Sequence, residues 1–250
     1  MNRGDVLEKS ILTLCIVSHT QFTIPIPDGI ESHVAGPLLC GGITIYSPLK
    51  NYGCGTENVK RVGIVGIGGI GAFGLNFAKA MGAEEVVAIG HSPSKKDLAM
   101  QLGATDFVAM GSSDKNPLLE KYQKGLDLII LTANNADQRY DWLCQALRPQ
   151  GHLINVAIPE EPVMPIPIAP LVFNGASIGG SAIGPPRQIK EMLEFAAKTK
   201  PNFMIEQRKL SDANQVVQDM AAGKPRFRYC MENDIAGKEE EFAKQYKSKV

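Results

Sequence analysis

Two features that would announce a partner are missing from this 250-residue chain. There is no excess charge of either sign: Lys+Arg and Asp+Glu both number 26, so no global field draws the protein to nucleic acid or an anionic membrane. There is also no early apolar run of membrane length. The longest, Ile11 to Val17, is interrupted by Thr13, whereas a bilayer span needs about 20 apolar residues. Acidic Asp5 and Glu8 precede that run and no small-residue cleavage site follows it, unlike a secretory leader. Cysteine is scattered at Cys15, Cys40, Cys54, Cys144 and Cys230, with no C-x-x-C pair. That argues against a disulfide framework or a self-contained cysteine zinc site, and points to a reducing, cytoplasmic compartment. Internal repeats and low-complexity segments are absent as well.

What the chain does contain is an ordinary globular composition, 44% hydrophobic and 21% charged, with enough length to bury a sizeable core. Its most informative stretch is Arg61 to Ala72, RVGIVGIGGIGA. An apolar run there breaks into Gly66-Ile67-Gly68-Gly69-Ile70-Gly71, a G-x-G-x-x-G between an expected strand and an expected helix. In that context the pattern binds a dinucleotide. Gly66 allows the tight turn, Gly68 lets a pyrophosphate approach the backbone, and Gly71 lets helix pack on strand. The phosphates then meet free N–H groups and the positive end of a helix. The competing reading is a glycine-rich strand-to-helix turn without a ligand.

Strand and helix patterns alternate from about residue 59 to 180. Expected strands are 61–65, 86–89, 106–109, 126–131, 152–157 and 176–178. Expected helices are 70–81, 95–102 and 136–147, the last stopped by Pro149. Repeated β-α alternation with short connections implies an α/β fold with a parallel, doubly wound Rossmann sheet. Residues 1–34 look extended, and 37–49 look like a helix carrying Cys40. Five prolines between Pro159 and Pro170 imply a loop or extended edge. Residues 185–198 and 211–222 read as helices, the second with Ser211 as N-cap and Gly223 as stop. The charged tail, 237–249, reads as an exposed or frayed helix.

Residues Phe22 to Tyr229 resemble the C-terminal two-thirds of a zinc-type medium-chain dehydrogenase of the cinnamyl alcohol dehydrogenase branch. The strings that carry the resemblance are FTIPIPDGI, GPLLCGGITIYSPL, VGIVGIGGIGAFGLNFAKAMGAE, DLAMQLGATDFV and IGGSAIG. LLCGGITIYSPL is specific to the family, while the glycine fingerprint is shared by many Rossmann proteins. The resemblance implies three parts: 1–34 as a remnant of a GroES-like catalytic domain, 35–184 as the NADP-binding Rossmann domain, and 185–250 as C-terminal helices and a tail returning to the catalytic domain. It also implies a small-molecule alcohol or aldehyde as substrate. A homodimer formed through the edge of the sheet near residues 176–178 is expected too.

Site residues follow from the same resemblance. Cys40 matches a cysteine ligand of the catalytic zinc, and Thr44 matches a threonine beside the nicotinamide. Gly66, Gly68, Gly69, Ile70 and Gly71 match the pyrophosphate loop. Ile158 and the stretch from Ser181 to Ile183 match segments whose backbone holds the carboxamide end of the cofactor. Arg226 or Arg228 falls where an arginine contacts phosphate, and spacing does not choose between them. Without the resemblance, Cys40 reads as a small buried hydrophobe on a helix.

The chain departs from the family pattern ahead of Ala35. The first zinc-binding cysteine, the Gly-His-Glu segment and the four-cysteine structural loop do not occur there, and His19 and His33 lack a following glutamate. A catalytic zinc needs three protein ligands and an open position. Zinc is therefore a cofactor of the full-length family that this chain is not expected to retain, and an alternative start or incomplete gene model is implied for the first residues.

The choice of nicotinamide cofactor rests on the end of the second strand, Gly90-His91-Ser92-Pro93-Ser94-Lys95-Lys96. NAD-selective folds carry an acid there, about 20 positions past the glycine loop. Here small and hydroxyl side chains precede two lysines, which suit the 2′-phosphate of NADP. His91, Ser92, Ser94 and Lys95 are the candidate contacts, with His91 near the adenosine ribose rather than a catalytic base. Two functions remain: an NADP-dependent alcohol dehydrogenase or aldehyde reductase, or a truncated, inactive dinucleotide-binding protein.

Overall fold

A computed structural model describes residues 23–111, 115–133, 138–158 and 165–234. Six strands form one parallel sheet: β1 (Arg61–Val65), β2 (Glu85–Gly90), β3 (Asp106–Ala109), β4 (Leu126–Leu131), β5 (Leu147–Asn155) and β6 (Ser177–Gly180). Their order is β3-β2-β1-β4-β5-β6. The connections leave β1 in opposite directions along the sheet, so a crevice opens beyond the C-terminal ends of β1 and β4, where such sheets bind ligands.

Alternation along β4 builds the two layers. Leu128 and Ile130 face one core, and Ile129 and Leu131 face the other. All four are fully buried, each contributing roughly 1.5–3 kcal/mol of hydrophobic stabilisation. The first core is closed by α2 (Ile43–Asn51), α3 (Gly69–Ala80) and α8 (Pro186–Thr199), through residues such as Ile45, Phe77 and Leu193. The second is closed by α5 (Pro117–Lys121) and α6 (Tyr140–Gln145), through Leu118, Trp142 and Leu143.

At the opposite end of the sheet, Asp127 clamps three strands. Its side chain is only 7% exposed, and Oδ2 accepts the N–H groups of Lys60 and Arg61, each at 2.7 Å. Its Oδ1 meets Arg148 Nε of β5 at 2.5 Å. The same arginine donates to the carbonyl of Asn58.

Several expectations need correction. Helix begins at Ser32, in α1 (Ser32–Pro37), and runs through a wide π turn at Leu38–Gly42 into α2. Pro37 has no N–H to give to the preceding turn, and the helix widens just after it. Pro149 does not stop a helix. α6 ends at Gln145, and Pro149 lies in an irregular part of β5, where the register jumps from Leu126↔Leu147 to Leu128↔His152. A residue without an N–H fits a stretch that is not laddered. Pro170 lies inside α7 (Ile168–Asn174), in its first turn, where N–H groups have no intrahelical partner. α4 is shorter than expected, Lys96–Gln101, preceded by a 3₁₀ turn at Pro93–Lys95.

Ser211 is not an N-cap either. It lies in a 3₁₀ turn before α9 (Ala213–Ala221), and its N–H and hydroxyl donate to Asp234 at 3.0 and 2.7 Å. The C-terminal region also contains a parallel pair of strands, β7 (Ile205–Lys209) and β8 (Arg228–Glu232). Residues 1–22, most of the Pro159–Pro165 stretch and the tail 237–249 lie outside the described residues, so those expectations stand untested.

Candidate cofactor-binding site

The glycine turn at the switch point is built by backbone contact. Gly66 leaves β1 with φ +90°, a left-handed conformation that side chains resist. Its N–H donates to Ile89 O of β2 at 2.9 Å. Thr132, just past β4, holds the same turn, its Oγ1 lying 2.8 Å from Val65 O and 3.0 Å from Gly66 O. A methyl on Gly71 would overlap the Gly66 carbonyl oxygen, so only glycine lets α3 start this close to the strand. Gly68 caps α3 in extended geometry (φ −111°, ψ −161°) and faces open space. The unpaired N–H groups of the first helical turn, including those of Gly69, Ile70 and Gly71, therefore border a free volume, the arrangement that binds phosphate.

The structure separates the two candidate arginines. Arg226 is exposed, outside β8, and its backbone N–H donates to Glu206. Arg228 opens β8, and its guanidinium lies against the glycine turn. A methyl on Gly69 would sit 2.6 Å from Arg228 Nε, and one on Gly41 would sit 3.2 Å from Nη2. Arg228 Nε is buried and has no hydrogen-bond acceptor among the described residues. A buried guanidinium nitrogen left unpaired beside a helix N-terminus fits a bound anion.

At the end of β2 no carboxylate occupies 90–96. His91, Ser92, Ser94 and Lys95 are exposed around the 3₁₀ turn, with the two serine hydroxyls 2.9 Å apart. Lys95 Nζ reaches back to donate to Ile67 O at 2.9 Å, so this lysine and the glycine turn belong to one cluster. These groups suit a 2′-phosphate.

The remaining residues lie at the start of α2 and after β5 and β6. Cys40 is exposed in the π turn, and Thr44, one turn on, donates to Cys40 O at 2.7 Å. The segment after β6 is tied by Ser181 N–H to Asn155 O at 3.0 Å. Ile158 and Ile183 are largely exposed. Sequence alone does not single out Thr132, because one hydroxyl after a buried strand has no spacing signature.

A zinc ion does not fit this residue set. Among the described residues no group of three or more His, Cys, Asp or Glu side chains could hold a metal. His33 pairs instead with Glu31 at 3.2 Å. Burial raises the thiols of Cys54 and Cys144 to about 12 and about 11, which keeps both in the protonated form that binds metal poorly. Cys15 and His19 lie outside the described residues.

A six-stranded parallel sheet in this order, with a G-x-G-x-x-G turn at its switch point, is the Rossmann architecture of dinucleotide-binding proteins. The family model for zinc-binding dehydrogenases matches residues 69–198, more than half of the chain, and the chain belongs to that family. It is 35% identical over 228 residues to NADP-dependent alcohol dehydrogenase 6 of Saccharomyces cerevisiae, covering 90% of this chain and 61% of the relative. It is 36% identical over 217 residues to cinnamyl alcohol dehydrogenase 2 of Arabidopsis thaliana, covering 87% and 56%. A cinnamyl alcohol dehydrogenase structure from Sorghum bicolor superposes with a TM-score of 0.75 at 31% identity, over 84% of this chain and 58% of that one. The chain thus spans about three-fifths of the length of the relatives it matches.

Proposed function

We propose that this chain binds NADP(H) and serves an oxidoreductase that interconverts primary alcohols and aldehydes. The observation that carries the reading is the unpaired, buried Arg228 Nε beside the glycine turn. Arg228 and the N–H groups of Gly69, Ile70 and Gly71 hold the pyrophosphate, and Ser92, Ser94 and Lys95 hold the 2′-phosphate, with His91 at the adenosine ribose. Ile158 and Ser181 to Ile183 receive the carboxamide end. The nicotinamide supplies hydride transfer when bound. Thr44 donates its hydroxyl hydrogen bond to Cys40 O, which leaves oxygen lone pairs to accept a hydrogen bond from a substrate hydroxyl. The names of the similar proteins support both the cofactor and the alcohol class.

Among the described residues no metal-holding group includes Cys40, which favours a second reading, in which these 250 residues bind the cofactor without turnover. Purified chain assayed for NADPH binding, zinc content and alcohol-dependent NADPH formation separates the two. We expect bound NADPH, no stoichiometric zinc and little turnover. About one zinc per chain, lost on Cys40→Ala, contradicts the metal part, and absence of NADPH binding contradicts the whole.

The edge of the sheet supports a homodimer. Among the described residues β6 is the terminal strand of its sheet, and the preceding α7 exposes Ile168, Val172 and Phe173, the last 87% exposed. Contiguous apolar surface beside an open edge fits a second copy. Light scattering should give twice the chain mass, and Phe173→Asp should shift it toward monomer. Unmodified chain that stays monomeric at working concentration contradicts this. Free Cys40, Cys54, Cys144 and Cys230 support a reducing compartment such as the cytoplasm. No described helix is long and apolar enough to cross a membrane.

A further inference from the structure

The segment from Ser181 to Gly184 and the turn carrying Cys40 and Thr44 come from distant parts of the chain. One buried polar side chain touches the elements that hold both. Gln188, in the first turn of α8, is 9% exposed. Its Oε1 accepts from Ser47 Oγ at 2.8 Å, and its Nε2 donates to Asn51 Oδ1 at 2.7 Å. Asn51 Nδ2 closes the triangle on Ser47 Oγ at 3.4 Å. Ser47 and Asn51 share a face of α2, and Thr44 lies one turn before Ser47.

On its other side Gln188 meets the segment after β6. A methyl on Gly184 would sit 2.7 Å from Gln188 Oε1 and 2.9 Å from Ile43 Cδ1, so the Gly184 backbone packs directly on the amide and on the first residue of α2. The far end of the segment is fixed by Ser181 N–H on Asn155 O. An apolar side chain of similar size fills such a space without fixing a register, whereas a satisfied buried amide is directional.

We propose that Gln188 is a positioning residue: its carboxamide locks the segment from Ser181 to Gly184 against α2 and so aligns the nicotinamide end of the cofactor with Thr44. The inference rests on the NADP(H) reading above. It makes the effect of Gln188 depend on which end of the cofactor is present.

The test compares two ligands on the full chain by calorimetry: NADPH, and 2′,5′-ADP, which carries only the adenosine end. Gln188→Leu should weaken NADPH about tenfold, the scale of a lost buried hydrogen bond, and leave 2′,5′-ADP within about twofold. If Gln188→Leu does not fold, Ser47→Ala removes the same link with less perturbation and should show the same split. Folded variants with unchanged NADPH affinity, or with both ligands weakened equally, overturn the proposal. Failure of both variants to fold overturns it too, since the triad is then a folding element. An unmodified chain that binds neither ligand overturns the cofactor reading itself, a distinct outcome.

Discussion

Gly68→Asp should abolish NADPH binding while leaving the protein folded, and slightly more stable. The backbone at Gly68 is extended and a side chain there meets nothing within 4 Å, so the substitution carries no steric cost. Asp is a favoured N-cap, and its carboxylate can accept from the first turn of α3, gaining about 0.5–1 kcal/mol. Those are the N–H groups proposed to hold the pyrophosphate. Occupying them with a negative charge removes the donors and adds repulsion, together at least about a hundredfold in affinity. Calorimetry and thermal unfolding on one sample check both halves. Arg228→Ala is the milder counterpart, about tenfold from one lost charge-assisted hydrogen bond, whereas Arg226→Ala should have little effect.

The largest loss of stability is expected from Asp127→Ala. Asp127 accepts from two β1-side N–H groups and forms an ion pair with Arg148 of β5. Removing it leaves two half-buried backbone donors without an acceptor and Arg148 without its ion-pair partner. Breaking a buried pair costs about 3–5 kcal/mol, and the partial exposure of Arg148 brings the expected value to about 2–4 kcal/mol. Asp127→Asn keeps an acceptor of the same shape and should lose less. Urea unfolding measures both. A change within about 0.5 kcal/mol for the alanine variant, the range of ordinary surface substitutions, contradicts the clamp.

The parallel sheet was legible because β1, β2 and β4 are apolar runs bounded by glycine or polar turns, and a buried parallel strand needs nothing else. The glycine turn was legible because its conformational demands are local, the left-handed Gly66 and the Gly71 methyl that would meet the Gly66 carbonyl both lying within six residues. β7 and β8 were not. IEQRK and RYCME are polar mixtures whose pairing, Ile205 with Arg228, spans a helix and has no local signal. α7 was hidden because proline is read as a breaker, although a first helical turn tolerates it. The two arginines differ only by strand register and burial, which spacing does not encode. Gln188 reads as one more polar residue on an amphipathic helix, and only the docking of α8 on α2 buries it.

The central claim is that this chain binds NADP(H) through the glycine turn, Arg228 and the serine–lysine cluster after β2. Its most direct test is calorimetric titration of the purified chain with NADPH and with NADH under identical salt. The 2′-phosphate gains charge-assisted hydrogen bonds, so NADPH should bind at least about tenfold more tightly. Equal affinity, or tighter binding of NADH, would contradict it.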